Sequence, residues 1–141
     1  MLVSWPGTIK QSTSDHISVF YDIFPTLAEL VGMPISEDLD GKSFLPELLG
    51  KEQEKHEYLY WEFPETGGQQ AVRMGNWKAV RQNIVKENNL DIELYDLSKD
   101  ILEQNNIDAQ HPDLIKKFEE IMAKEHEVPV VSTFRMAALG D

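Results

Sequence analysis

The side chains able to do chemistry are few in this sequence. Histidine occurs four times, at His16, His56, His111 and His126, and cysteine not at all. No two histidines stand within three to five residues of one another, so the spacing that would put two imidazoles on one helical face as zinc ligands is absent. Without cysteine there is no thiolate ligand, thiol nucleophile or disulfide. Asp15-His16 has the composition of an acid–base pair, but an acid at a helix start is explained by capping. Glu119-Glu120 and Glu125-Glu127 lie on a helix with a polar outer face and read as solvated, not as paired general acid and base. Neither a phosphate-cradling glycine loop nor a G-x-S-x-G elbow occurs.

Charge narrows the classes further. Thirteen Lys and Arg against twenty-five Asp and Glu leave a formal net charge of −12 over 141 residues, 41% of them hydrophobic. Such a composition predicts a packed globular chain of about one domain. A chain this acidic lacks the basic footprint that phosphate backbones or anionic headgroups require, so no nucleic-acid partner is expected. No apolar run approaches the roughly 18 to 20 residues of a membrane span. The opening MLVSWPGTIK has neither the charged nor the apolar stretch of an export signal.

The elements that must hold the functional side chains are legible from period and punctuation. Leu2 to Trp5 predicts an extended segment closed by Pro6-Gly7. A helix follows in which Phe20, Ile23, Phe24, Leu27, Leu30 and Val31 recur at three- and four-residue spacing, capped by Ser14 or Asp15 and stopped by Gly32. Pro25 demands either a kink or a start near Phe24-Pro25-Thr26, because an interior proline costs about 3 kcal/mol. Phe20, Tyr21, Phe24 and Phe44 are expected in the core. Ser43 caps a short helix from Phe44 to Leu49, with Gly50 as its stop. The charged stretch Lys51 to Glu57 marks a boundary, dividing residues 1–50 from residues 51–141.

Beyond the boundary the period changes to alternation. Tyr58, Tyr60 and Glu62 fall on one side of a strand, and Leu59, Trp61 and Phe63 on the other. Gln70 to Met74 and Trp77 to Arg81 flank Gly75-Asn76 as a hairpin, the strongest local signal in the chain. Asp91 to Leu97 supplies a fourth strand. Pro112 to Glu125 predicts a helix whose residues Leu114, Ile115, Phe118, Ile121 and Met122 make a stripe wide enough to cover a sheet. From Val128 to Asp141 no period is visible, although Val130, Val131 and Phe134 could dock. The fold class is α+β: a small four-stranded antiparallel sheet packed by a C-terminal helix, preceded by a strand-and-helix segment.

In order, Ser4-Trp5-Pro6-Gly7, Ser14-Asp15-His16, Asp22-Ile23-Phe24-Pro25-Thr26-Leu27-Ala28-Glu29-Leu30-Val31-Gly32 and Asp40-Gly41-Lys42-Ser43-Phe44-Leu45-Pro46 resemble the later part of the arylsulfatase family. Tyr60-Trp61-Glu62-Phe63, Gly67 to Arg73, Gly75-Asn76-Trp77-Lys78, Glu93 to Leu97 and Glu103-Gln104-Asn105-Asn106 resemble the C-terminal subdomain of its bacterial members. The D-x-x-P-T motif also occurs in related phosphatases and phosphodiesterases of the alkaline phosphatase superfamily. The resemblance implies a sulfuric ester hydrolase built as a large α/β domain followed by a small sheet and helix, with residues 1–50 the strand-and-helix remnant that ends the α/β catalytic domain and residues 51–141 the C-terminal sheet-and-helix subdomain. It further implies a formylglycine made from the Cys or Ser of C/S-x-P-x-R, with a calcium ion held by Asp and Asn. Sulfate's spread negative charge calls for such a hard cation and cationic donors.

The sequence departs from that family in carrying no S-x-P-x-R, no Asp-Asp pair and no Asp-Asn pair. The expectation is therefore a C-terminal fragment with a structural or substrate-access role, without catalytic residues or a cofactor of its own. Its main partner would be the missing N-terminal catalytic domain, with self-association through the surface that domain would cover. By resemblance, the loop from Pro64 to Gly68 lies near the pocket rim, which makes Glu62, Gln70 and Arg73 the substrate-side candidates. Trp61 reads first as core.

Thr66 to Lys86 contains no acid, while Arg73, Lys78, Arg81 and Lys86 add four positive charges. This hairpin reads first as a solvated face with snorkelling side chains, then as a contact for the catalytic domain, then as a surface for a sulfated glycan. The alternative functions are a stand-alone module binding an anionic glycan or partner, and a fragment of a related phosphodiesterase. A periplasmic or extracellular location follows from resemblance only.

Overall fold

The computed structural model describes every residue except Glu37. The chain forms two compact units, Met1–His56 and Glu57–Asp141.

In the first unit a 3₁₀ turn, Phe20–Asp22, leads into α1, Ile23–Leu30, and a single turn, α2, spans Leu45–Leu48. Pro25 sits third in α1, where a backbone N–H has no intrahelical partner to lose, so the helix starts close to the proline and needs no kink. The cap expected at Ser14 or Asp15 is displaced by this late start. Ser14 Oγ instead donates to Glu47 and accepts from His16 N at 3.0 Å. Among the described residues Leu2 to Trp5 pairs with no strand, although Pro6-Gly7 does turn the chain, with Thr8 N on Trp5 O at 3.1 Å.

α1 is inverted with respect to its apolar stripe. Asp22, Pro25, Thr26 and Ala28 are its buried side, while Phe24, Leu27 and Leu30 are exposed, as are Phe20 before it and Val31 after it. Of the four aromatic residues expected in the core, Phe44 is buried, whereas Phe20 is 85% and Phe24 is 53% exposed. The cause is polar. Asp22 accepts from Val19 N at 2.9 Å, Lys42 N at 2.8 Å and His56 Nε2 at 2.8 Å. Thr26 Oγ1 donates to Asp22 O at 2.7 Å and accepts from Phe44 N at 3.0 Å. These bonds draw the polar side of α1 inward against segment 41–44. Gly41 permits the approach, since a Cβ there would lie 2.2 Å from Tyr21 O.

The charged stretch after Gly50 is tied into the same unit. Gln53 Nε2 donates to Ser43 O at 2.9 Å, its Oε1 accepts from Glu47 N at 3.1 Å, and Lys42 pairs with Glu54.

The second unit is an antiparallel sheet in sequence order: β1 Leu59–Phe63, β2 Gln69–Met74, β3 Trp77–Gln82 and β4 Glu93–Asp96. Met74 pairs with Trp77, so Gly75-Asn76 is a two-residue turn, and only Gly75 has positive φ (59°), as a type II′ turn requires. A short α3, Ile84–Glu87, which no sequence pattern announced, lies between β3 and β4. β4 is shorter than Asp91 to Leu97. Its free edge is covered by the next segment, with Ile107 N on Leu94 O at 3.0 Å and Leu94 N on Asn106 Oδ1 at 2.9 Å.

α4, Pro112–Glu125, closes the core over one face of the sheet. Phe118, Ile121 and Met122 pack with Val72, Ala79, Ile92 and Leu94. After α4 the docking residue is Met136, fully buried, rather than Val130, Val131 or Phe134, which are exposed.

Candidate functional site

Alternation along β1 and β2 separates the three substrate-side candidates. Glu62 and Gln70 are directly opposite one another in register and lie on the same face as Tyr60, Val72, Ala79 and Arg81, the face that α4 covers. Arg73 stands opposite Leu59 and Lys78 on the other face, its Nε donating to Gly75 O at 3.1 Å. The structure brings Glu62 and Gln70 together and leaves Arg73 apart.

Around Glu62 and Gln70 runs a continuous polar network. Gln70 is 1% exposed and has both ends of its amide engaged. Its Nε2 donates to Tyr60 Oη at 2.9 Å and to Glu62 Oε2 at 3.2 Å, while its Oε1 accepts from Arg81 Nη1 at 3.2 Å. Tyr60 Oη donates to Glu62. Glu62 Oε2 also meets His126 Nδ1 at 2.9 Å, and the other ring nitrogen, Nε2, meets Asp141 Oδ1 at 2.8 Å. Asp141 Oδ2 accepts from Met136 N at 2.6 Å. Arg81 completes the chain through Nε on Leu90 O at 2.9 Å, with Glu119 at 3.8 Å from Nη2. Among the described residues no buried side-chain nitrogen or oxygen lacks a partner.

Burial, reinforced by the neighbouring Glu62 carboxylate, pushes the Tyr60 phenol well above its ordinary range. Burial lowers Arg81, with Glu119 opposing. Burial also works against charge on His126, but its bonds to Glu62 and Asp141 together outweigh it and raise the imidazole. The N–H of Met136, helped by His126, lowers Asp141. The arrangement sets one imidazole between two carboxylates and spends its hydrogen bonds internally.

The basic hairpin is similarly divided. Lys78 Nζ binds Glu103 at 2.6 and 2.8 Å on one face, Arg81 lies in the network on the other, and Lys86 is at 4.0 Å from Glu87. Arg81 shares its face with Trp77 and Ala79, and that face is covered by α4. Trp61 is half-buried on the Arg73 side.

The two groups implied for the complete enzyme do not fit this chain. It holds neither the Cys nor the Ser-x-Pro-x-Arg that formylglycine formation needs. Among the described residues no group of three or more His, Asp or Glu is placed to hold a cation. Of the network, Glu62 and Gln70 were visible in the sequence. Tyr60 was visible only as a neighbour by alternation, and His126 and Asp141 carried no signal, because contacts 64 and 15 positions apart leave no local period.

The chain is similar to known proteins over most of its length. The N-acetylgalactosamine-6-O-sulfatase of Bacteroides thetaiotaomicron is 29% identical over 133 residues, which are 86% of this chain and 26% of that protein. A solved 2-O GAG sulfatase superposes with a TM-score of 0.62 at 26% identity, over 73% of this chain and 23% of that one. The phosphonate monoester hydrolase of Agrobacterium radiobacter shares the fold, with a TM-score of 0.55 at 27% identity over 73% of this chain and 23% of its own. The chain thus spans about a quarter of the length of these proteins. The family model "N-sulphoglucosamine sulphohydrolase, C-terminal" matches residues 1–128. With that match spanning the first unit and most of the second, the chain belongs to the C-terminal family of the sulfatases.

Proposed function

We propose that this chain is the C-terminal part of a sulfuric ester hydrolase, in which it braces the catalytic part and shapes access to it without taking part in the chemistry. The observation that carries this reading is the inverted α1. A helix that turns Asp22 and Thr26 inward and leaves Phe24, Leu27 and Leu30 outward is built to be covered by something else. Polypeptide preceding the family-matched segment is the occupant, since the relatives are about four times as long. That polypeptide would also supply the nucleophile and any calcium ligands. By resemblance the complete protein works in the periplasm or outside the cell; among the described residues no helix is long and apolar enough to cross a membrane.

Two measurements test this. The coding sequence upstream should contain an in-frame Cys/Ser-x-Pro-x-Arg, and the polypeptide including it should hydrolyse 4-nitrophenyl sulfate while the 141-residue chain alone does not. Turnover by the purified 141-residue chain, or an upstream frame without that motif, overturns the reading.

A further inference from the structure

His126 stands between Glu62 on β1 and Asp141, with Nδ1 at 2.9 Å from one carboxylate and Nε2 at 2.8 Å from the other. A carboxylate can only accept, and a neutral imidazole has a single N–H, so both bonds exist together only when the ring carries two protons. We propose that His126 is a proton-dependent latch that holds segment 126–141 on the sheet and that loosens when the imidazolium is lost. Neither ring bond is a surface contact: side-chain exposure is 11% for His126, 15% for Glu62 and 0% for Asp141.

The latch has something to hold. Asp141 fixes Met136 through Met136 N at 2.6 Å, and Met136 is fully buried. A Cβ at Gly68 would lie 3.0 Å from Met136 Sδ and 2.8 Å from Val85 Cγ2, so Met136 packs where the loop before β2 meets α3. That loop is itself fastened to α3, with Val85 N on Gly67 O at 2.8 Å. A single ring proton therefore connects the strand β1, the segment ending at Asp141 and the packing around Gly68.

The groups facing His126 set the sign. From β1 come Glu62 and, behind it, the Tyr60 phenol, which also feels Glu125 of α4. From the far end comes Asp141, with Arg135 nearby. Gln70 and Arg81 reach it only through Glu62, with Glu119 beyond Arg81. Burial works against charge on His126, and the bonds to Glu62 and Asp141 raise it in spite of that cost. A raised histidine stabilises the docked state below its unfolded value, and that contribution is lost as pH rises through the folded value. Once neutral, the ring faces one carboxylate with a lone pair. Glu62 retains Tyr60 and Gln70 as donors, so the sheet side stays satisfied while the docked segment loses an anchor.

The test is nitrogen-15 NMR of the full chain, combined with amide exchange corrected for intrinsic rates. Both ring nitrogens of His126 should be protonated at pH 6. The protection of the Met136 amide should fall by up to roughly tenfold per pH unit once the ring deprotonates. Asp141→Asn should bring the His126 midpoint down toward the ordinary histidine range and remove the pH dependence at Met136. Glu62→Gln, which keeps a side chain able to bond Tyr60, should lower the midpoint too. A singly protonated ring at pH 6, or Met136 protection unchanged through the His126 titration, overturns the proposal.

Discussion

Asp22 Oδ1 accepts a hydrogen bond from His56 Nε2 at 2.8 Å across 34 positions of sequence, and the acid is 1% exposed. Its remaining lone pairs take Val19 N and Lys42 N. One carboxylate thus joins the entrance to α1, the segment before α2 and the last residue of the first unit. The Asp of D-x-x-P-T is in this way a clip, and the Thr of the same motif is its second half through Phe44 N. Asp22→Ala strands two backbone donors and a histidine. It should cost about 3 kcal/mol, and Thr26→Val about 1–2 kcal/mol, in urea unfolding at unchanged m-value. A loss under about 0.5 kcal/mol for Asp22→Ala, the range of ordinary surface substitutions, would show that water replaces the clip without penalty.

Gly41 tests the same clip from the backbone side. Its φ is not left-handed, so alanine meets no torsional objection, but its Cβ would lie 2.2 Å from the Tyr21 carbonyl oxygen and 3.1 Å from Pro25 Cγ. Relieving that overlap requires the segment before Lys42 to move off Asp22. Gly41→Ala should therefore destabilise by about 1–3 kcal/mol, the usual cost of forcing atoms into a packed site, and should perturb the His56 ring resonances. A variant of unchanged midpoint and unchanged His56 spectrum would mean that the close approach is dispensable.

The second unit could be read from sequence because its rules are local. Alternation placed β1 to β3, Gly75-Asn76 fixed the hairpin register, and the stripe from Leu114 to Met122 fixed α4. The first unit was harder for a physical reason. The stripe of Phe20, Phe24, Leu27 and Val31 is a real helical period, but period alone does not say which face turns into the unit. The inward face was chosen by Asp22 and Thr26, whose partners lie up to 34 residues away. The candidate site divided in the same manner. Register put Glu62 beside Gln70 and sent Arg73 to the far face, as period-two geometry demands, while His126 and Asp141 joined through segments without any period.

The outward face of α1 makes a prediction about association. The 141-residue chain, prepared without further polypeptide, should self-associate in sedimentation equilibrium. Leu27→Glu, at a side chain that is 55% exposed and touches none of the clip bonds, should weaken that association by roughly tenfold or more, the value of burying one leucine. The unfolding midpoint of the variant at low concentration should stay close to that of the parent. A parent that remains monomeric at high concentration removes the support that this face gives to the proposed function.

Alkaline titration addresses the sheet. Tyr95 is 8% exposed, donates to Glu93 Oε2 at 2.8 Å, and is pushed up to about 12 by burial and then by that carboxylate; Tyr60 is raised further still, by burial and Glu62. A phenol whose folded value exceeds its unfolded value near 10 stabilises the fold fully below pH 10 and loses that contribution as pH climbs toward the folded value. Between pH 10 and 12 the sheet should therefore lose stability, and the phenolate absorbance of Tyr95 should appear late, together with the loss of near-ultraviolet dichroism. Tyr95→Phe should delete one late-titrating phenol. Glu93→Gln should move that phenol earlier by removing the negative neighbour while keeping an acceptor. Ionisation of Tyr95 at pH 10 in the folded protein would mean that neither the burial nor the Glu93 contact acts on it in solution.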